Sequence, residues 1–193
     1  NETFFDAVDT EEKAYFLGFL YADGYNNTDR SSVALSLKED DKEILIRLNS
    51  LLQPSKPLQY VEIKTTNSTN QYRLVIANKH ISKKLVELGC DKAKTYSLVF
   101  PSDKQIPKHL IRHFVRGYFD GDGWVGKKGI CIVSTLNFCN SLAEILNQEL
   151  NVNSYIRARH PERNNNIRML ELSKKAARLF LNWIYRDSNI HLG

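Results

Sequence analysis

The 193-residue chain lacks any apolar run near the roughly 20 residues that a membrane-spanning helix needs, and nothing in it has the form of a signal peptide. Cysteine is scarce: Cys90, Cys131 and Cys139 are odd in number and have no metal-ligand spacing. That speaks against a disulfide framework or a zinc site and for buried or reduced thiols in an intracellular protein. Of the five histidines, His109 and His113 form the one short-range pair, and it falls at the start of a helix, over two turns from the nearest acidic motif. Surface or structural roles are expected for them. No Gly-rich phosphate loop, Ser-His-Asp order or Cys-His nucleophile pattern occurs, so those chemistries have no support. The first residue is Asn1 rather than Met, as in a trimmed or excised segment.

Charge is present but unevenly spread. The net charge is +5, with 27 Lys and Arg against 22 Asp and Glu. Residues 1–100 hold 13 basic and 14 acidic side chains, and residues 101–193 hold 14 and 8, so the excess lies in the second half with eight of the eleven arginines. A basic surface of this kind suits a polyanionic partner.

The order of elements repeats. In the first half, Asp9 to Glu12 has the character of a helix start. The apolar run Ala14–Ala22 follows, with Gly24 as its stop. A turn is expected over 24–30, a strand over 32–37, a helix over 40–52 ended by Pro54, strands over 58–64 and 72–76, and a closing helix over 80–88. The second half repeats this plan. A helix starts near Pro107 and runs to Asp122, followed by a strand over 130–134, a helix over 138–150, strands over 154–159 and 167–172, and a helix over 174–185. This divides the chain into 1–100, a proline-stiffened linker 101–107, and 108–193.

Two stretches carry the duplication, Phe16-Leu-Gly-Phe-Leu-Tyr-Ala-Asp-Gly24 and Val115-Arg-Gly-Tyr-Phe-Asp-Gly-Asp-Gly123. Gly18 and Ala22 are four residues apart on one helix face, as are Gly117 and Gly121. Stripes of small residues let two helix backbones approach closely. Pairing the two stripes would set Asp23 and Asp122 side by side at two helix C-termini, where each end already carries roughly half a negative charge. A hard divalent ion such as Mg²⁺ would neutralise that cluster and could activate water for phosphodiester hydrolysis.

Both stretches align without a gap to the nine-residue motif of the LAGLIDADG homing endonucleases, and the repeated elements extend the resemblance over essentially the whole chain. It resembles the single-chain, two-motif class. The resemblance implies an α+β fold of two pseudo-symmetric αββαββα halves packed through paired motif helices, with antiparallel sheets forming a DNA-binding saddle. It implies metal on Asp23 and Asp122, with the backbone carbonyls of Ala22 and Gly121 nearby, and cleavage of both strands of a long double-stranded DNA site to leave 3′ overhangs. Mg²⁺ is the expected cofactor, Mn²⁺ a substitute, and Ca²⁺ an ion that binds without supporting efficient cleavage. The protein would act as a monomer with internal two-fold symmetry and no membrane association. The first motif departs from the pattern at Tyr21, where the second keeps Asp120; this is not the metal position. Family members place basic or polar side chains around the attacking water, and Lys38 and Lys94 are the candidates here. The equivalent of Lys94 in the second half would fall beyond Gly193. An intron RNA maturase and a catalytically silent DNA-binding protein are the alternatives on the same fold.

Strand alternation puts Glu62, Lys64 and Thr66 on one side, and Tyr155, Arg157 and Arg159 on one side. Arg30, Ser32, Arg73, Lys127, Lys128, Arg163 and Arg168 lie on or beside strands. Arg and Lys there could read guanine or neutralise phosphate, and the second half is expected to make more phosphate contacts.

Overall fold

The computed structural model describes residues 1–53, 55–63, 69–163 and 165–192. Lys64, Thr66 and Pro54 therefore lie outside the described residues.

Two halves repeat one order. The first contains α1 (Glu11–Asp23), β1 (Tyr25–Asn27), β2 (Ser32–Lys38), α2 (Lys42–Leu52), β3 (Gln59–Val61), β4 (Gln71–Ala77) and α3 (Lys79–Glu87). The second contains α4 (Ile111–Asp122), β5 (Gly123–Gly126), β6 (Gly129–Thr135), α5 (Leu136–Leu150), β7 (Tyr155–Ala158), β8 (Ile167–Ser173) and α6 (Lys174–Tyr185). Each half is αββαββα, with one four-stranded antiparallel sheet ordered β1-β2-β4-β3 or β5-β6-β8-β7.

Local chemistry sets the helix ends. Thr10 caps α1 by accepting from the Lys13 N–H, and Asn78, Thr135 and Ser173 cap α3, α5 and α6 in the same way. Gly24 ends α1 for a reason other than the left-handed turn expected of a helix-stop glycine. Its backbone is extended, at φ −71° and ψ 143°. A Cβ there would lie 2.6 Å from the Leu20 carbonyl oxygen, so steric room and not left-handed geometry demands glycine.

The residues expected to form a turn after Gly24 include β1, which pairs with β2 through Tyr25↔Ala34, Asn26↔Val33 and Asn27↔Ser32. Its counterpart β5 pairs with β6 in the same fashion. The strand expected over 58–64 is shorter, ending at Val61.

Each sheet buries one face. Val33, Leu35, Leu74 and Ile76 of the first sheet, and Ile130, Ile132, Leu170 and Leu172 of the second, pack into the core with α2, α3, α5 and α6. The opposite face of each sheet is free of helices. Between the halves, α1 and α4 form the central contact and are buried from Ala14 to Tyr21 and from His113 to Phe119. All three cysteines are buried and unpaired, as expected, and among the described residues no helix is long and apolar enough to cross a membrane.

Candidate metal and nucleic-acid site

The approach of α1 and α4 is close because both helices lack side chains where they touch. A Cβ on Gly18 would lie 2.0 Å from the Phe114 carbonyl oxygen, and one on Gly117 would lie 1.9 Å from that of Tyr15. The two contacts are symmetric, since Tyr15 and Phe114 hold equivalent places one residue before each motif. One turn further on, a Cβ on Gly121 would meet the Cβ of Ala22 at 2.4 Å and Oδ2 of Asp23 at 3.2 Å. The small-residue stripes thus pair as their spacing implies, and the two helices end together.

The partners flanking this seam differ between the halves. Tyr15 donates its hydroxyl to Asp120 Oδ2 at 2.8 Å. At the symmetric place, Phe114 packs edge-on against Tyr21 at a centroid distance of 5.0 Å. Tyr21 stands where the other motif has Asp120, and its hydroxyl donates to the Leu88 carbonyl instead. Asp120 also accepts from the Tyr185 hydroxyl and from the Leu192 N–H at 2.9 Å. This acidic motif residue is therefore a structural tie, with its oxygens occupied, and the departure at Tyr21 leaves the metal position untouched.

Arg116 makes a second tie. It is fully buried and donates to the carbonyls of Ile184 and Ile190, each at 2.8 Å, and to Glu11 Oε1 at 2.7 Å. His113 is held there as a neutral acceptor: burial, then the adjacent guanidinium, pushes its pKa down to about 4. The histidine pair is thus structural at His113 and exposed at His109.

At the free ends of α1 and α4, Asp23 and Asp122 reach solvent at their edges while the surrounding protein crowds their carboxyl groups. The crowding raises both pKa values. Asp23 is pushed up to about 6, chiefly by burial and then by the charge of Asp122, with Lys94 opposing. Asp122 is pushed up by burial, against Lys94 and Arg159. The helix ends worsen the repulsion, because both C-termini point their negative poles at the same spot. The last helical bonds are those from Gly24 N–H to the Leu20 carbonyl and from Gly123 N–H to that of Phe119. The Ala22 and Gly121 carbonyls fall past them, without an intrahelical partner.

Lys94 reaches this spot because of how the halves are joined. Residues 88–107 first pack against the first half through buried Cys90, whose carbonyl accepts from Asn26. They then cross to the second half, where the Leu98 carbonyl accepts from Thr135 and the Tyr96 carbonyl from Asn166. Lys94 lies between these anchors and donates to the Gly24 carbonyl. Burial pushes its pKa down, and the neighbouring Asp122 and Asp23 oppose that shift. A groove of about 610 Å³ opens beside it, lined by Lys94, Tyr96, Asp122, Trp124, Arg159 and Arg163 among others.

The donor set fits a hard cation. Among the described residues no three His, Cys, Asp or Glu side chains converge on one point. The protein thus offers two carboxylates and two backbone carbonyls, leaving further positions for water or phosphate oxygens, the pattern that Mg²⁺ favours.

The remaining expected site residues distribute as follows. Ser32 and Arg73 lie on the free face of the first sheet, and Tyr155 and Arg157 on that of the second, with Arg159 just beyond β7. Arg30 ends a short helical turn between β1 and β2, and Lys127 and Lys128 form the two-residue turn between β5 and β6. Arg163 is in the loop between β7 and β8. Lys38 is exposed at the end of β2 opposite Gln71, and neither Asp23 nor Asp122 feels its charge, so among the described residues Lys94 and Arg159 are the cations beside the carboxylates. Arg168 pairs with Ser134 and Ala158 on the helix-covered side of β8 and donates to the Asn165 and Ile167 carbonyls, away from Arg157. Arg157 itself is engaged by both oxygens of Glu171, at 3.0 and 2.9 Å. Arg159 beside Asp122 is a role that strand alternation alone did not single out; the groove that both residues line reveals it.

Comparison with known proteins agrees with this geometry. Residues 109–185 match the model of the LAGLIDADG-like domain. The chain is 28% identical over 116 residues to a probable translation initiation factor IF-2 of Methanocaldococcus jannaschii, and 26% identical over 120 residues to a DNA polymerase of Acanthamoeba polyphaga mimivirus. These matches cover 58% and 59% of this chain but only 9% and 7% of the relatives. Its fold is similar to that of the homing endonuclease I-WcaI bound to its DNA recognition sequence, with a TM-score of 0.62 at 16% identity, covering 92% of this chain and 81% of that one. Mesophilic variants of the homing endonuclease I-DmoI give 0.62 at 14% identity, over 92% and 97% of the two chains. The N-terminal LAGLIDADG domain of DUF199/WhiA gives 0.59 at 18%, over 94% and 85%. Residues 109–185 thus match the LAGLIDADG-like domain, and the chain as a whole shares the fold of the homing endonucleases I-WcaI and I-DmoI, with one motif helix in each half.

Proposed function

We propose that this protein is a site-specific, metal-dependent endonuclease that hydrolyses both strands of a long double-stranded DNA target and leaves 3′ overhangs. The observation that carries this reading is the juxtaposition of Asp23 and Asp122 at paired helix ends, with Lys94 beside them. Two free sheet faces, one in each half, suit a duplex that passes over that point. Solved homing endonucleases of this fold include complexes with target DNA and Mn or Mg, and with DNA and Ca.

Asp23 and Asp122 would hold a divalent cation, Mg²⁺ by preference or Mn²⁺, with help from the Ala22 and Gly121 carbonyls; Ca²⁺ would bind without efficient cleavage. Such an ion lowers the pKa of water and stabilises a departing phosphate oxygen. Lys94 would orient water or a non-bridging phosphate oxygen on the side of Asp23. Arg159 would do so on the side of Asp122, and Lys38 would contact the duplex farther out. Arg30, Ser32, Lys64, Arg73, Lys127, Lys128, Tyr155, Arg157, Arg163 and Arg168 complete the proposed DNA contacts, with Arg168 acting through the loop it braces. The two sequence relatives have unrelated duties, and each match occupies a small part of the protein, which supports a self-contained nuclease unit.

Selection of cleaved sequences from a random duplex library in Mg²⁺ tests the reading. One long enriched site, cut by the native protein and bound but uncut by Asp23→Asn and Asp122→Asn, is the expected result. Normal cutting by both variants would remove Asp23 and Asp122 from the site. The fold also has members that are not nucleases, and a site bound yet uncut by the native protein would place this chain among them.

A further inference from the structure

The two free sheet faces differ in chemistry, chiefly in the rows through Val133 and Ile167 of the second sheet. Position by position, Tyr25, Ala34, Ser36, Gln71 and Arg73 of the first sheet correspond to Trp124, Cys131, Val133, Ile167 and Met169 of the second. These five exchanges are towards a larger or more apolar side chain, whereas Val75 and Gln59 are matched by Glu171 and Arg157, which bind each other. On the second sheet, Trp124, Cys131, Glu171 and Tyr155 form one row across the four strands, and Val133, Met169 and Arg157 form the next. Trp124 and Tyr155 are 64% and 65% exposed, and with Cys131 they line a groove of about 620 Å³ edged by Lys127 and Lys128. Ser36, Arg73 and Gln59 of the first sheet, the row that matches Val133, Met169 and Arg157, are built for hydrogen bonds. Among the described residues the one charge pair on the second face, Arg157 with Glu171, is internally satisfied.

An apolar sheet face edged with lysines suits a duplex only where the groove presents an apolar group. In the major groove that group is the C5-methyl of thymine, and no other base carries one. Resting on the DNA-binding reading above, we infer that the second sheet reads a thymine-rich half-site through its methyl groups, whereas the first sheet reads its half-site through hydrogen bonds. Trp124, Val133 and Met169 are the specificity-determining residues of the second half. Lys127 and Lys128, at the end of the groove, meet the phosphates flanking those bases.

The full chain, incubated with a random duplex library in Ca²⁺, yields bound sites that are then remade with deoxyuridine in place of thymine, one half-site at a time. Deoxyuridine keeps the base pair and the phosphates and removes only the methyl. Burial of one methyl group corresponds to about fourfold in affinity, so two or three methyls lost from one half-site should weaken binding about tenfold or more. The same replacement in the other half-site should leave affinity within about twofold. Val133→Thr with Met169→Gln, near-isosteric and at partly exposed positions, should erase the deoxyuridine penalty while the thermal transition confirms folding. Equal penalties in both half-sites, a penalty that survives the double substitution, or a selected site poor in thymine would overturn the inference while leaving DNA binding intact. Recovery of no enriched duplex would overturn the DNA-binding reading itself and this inference with it.

Discussion

The central helix contact makes a quantitative demand on Gly18. In Gly18→Ala the new Cβ would start 2.0 Å from the Phe114 carbonyl oxygen and 2.9 Å from the Tyr118 nitrogen, both backbone atoms. Neither can rotate away as a side chain would. Ordinary contact begins near 3.4 Å, so α1 and α4 must part by about 1.4 Å. Overpacking of this kind costs about 1–3 kcal/mol, and a backbone obstacle belongs at the upper end. Alanine returns about 1 kcal/mol through its better helix propensity. The net loss is then about 2 kcal/mol, or about 4–8 °C in Tm for a domain of this size. Gly117→Ala meets the Tyr15 carbonyl at 1.9 Å and should behave alike. Both clashes are relieved by the same displacement, so the double substitution should cost clearly less than the sum of the two. Calorimetric or fluorescence melts of the three variants provide the measurement. An unchanged or raised Tm for either single variant, or full additivity in the double, would refute the close-contact reading of this seam.

The carboxylate pair predicts an inverted pH response. A folded-state pKa raised from 3.8 to about 6 at Asp23 means that the folded protein binds the proton more tightly than the unfolded chain. This contribution to stability is greatest below pH 4 and is lost as pH rises through 6. Asp23→Asn should therefore raise Tm in chelator at pH 7.5 and change it little at pH 4, and added Mg²⁺ or Ca²⁺ should stabilise the native protein more at pH 7.5 than at pH 5. Equal metal-induced shifts at both pH values would argue against the pair as the binding site. For DNA affinity, Arg159→Ala should lower the slope of log K against log salt by about one. Arg157→Ala should lower it less, because Glu171 already neutralises Arg157; titrations across a salt series would separate the two.

The motif helices, their stripes of small residues and the two terminal carboxylates were legible because each rests on a periodicity that local sequence records. Helix α6 begins and ends where its apolar spacing implies. Strands β1 and β5 were hidden because they are short edge strands. Tyr25-Asn-Asn27 has the composition of a turn, and only pairing with β2 makes it extended. Asn26 illustrates the cause: it is buried and bonded to Ser82 and to Cys90, 56 and 64 residues away. Arg116 was equally opaque. A helical arginine ordinarily lies in solvent, and its burial depends on Glu11 and on carbonyls 68 and 74 residues downstream. The excess of basic residues in the second half overstated the charge available to a ligand. Arg116 is spent inside the seam, Arg168 on its own loop and Arg157 on Glu171, whereas Arg159 and Arg163 line the groove beside Asp122.

The unequal flanks of the seam have a consequence for how such a chain can associate. Tyr15 meets Asp120 on one side and Phe114 meets Tyr21 on the other. Two copies of the second half, paired with each other, would set Asp120 against the ring of Phe114, which has no proton to give. That would take one of three hydrogen bonds from a half-buried carboxylate on each side of the axis, at about 1.5–3 kcal/mol for each. Two copies of the first half would set the Tyr15 hydroxyl against Tyr21, with no carboxylate to accept its proton. Each half therefore recognises the other in preference to itself. Such complementarity frees the two sheets to diverge, since neither has to serve a palindrome.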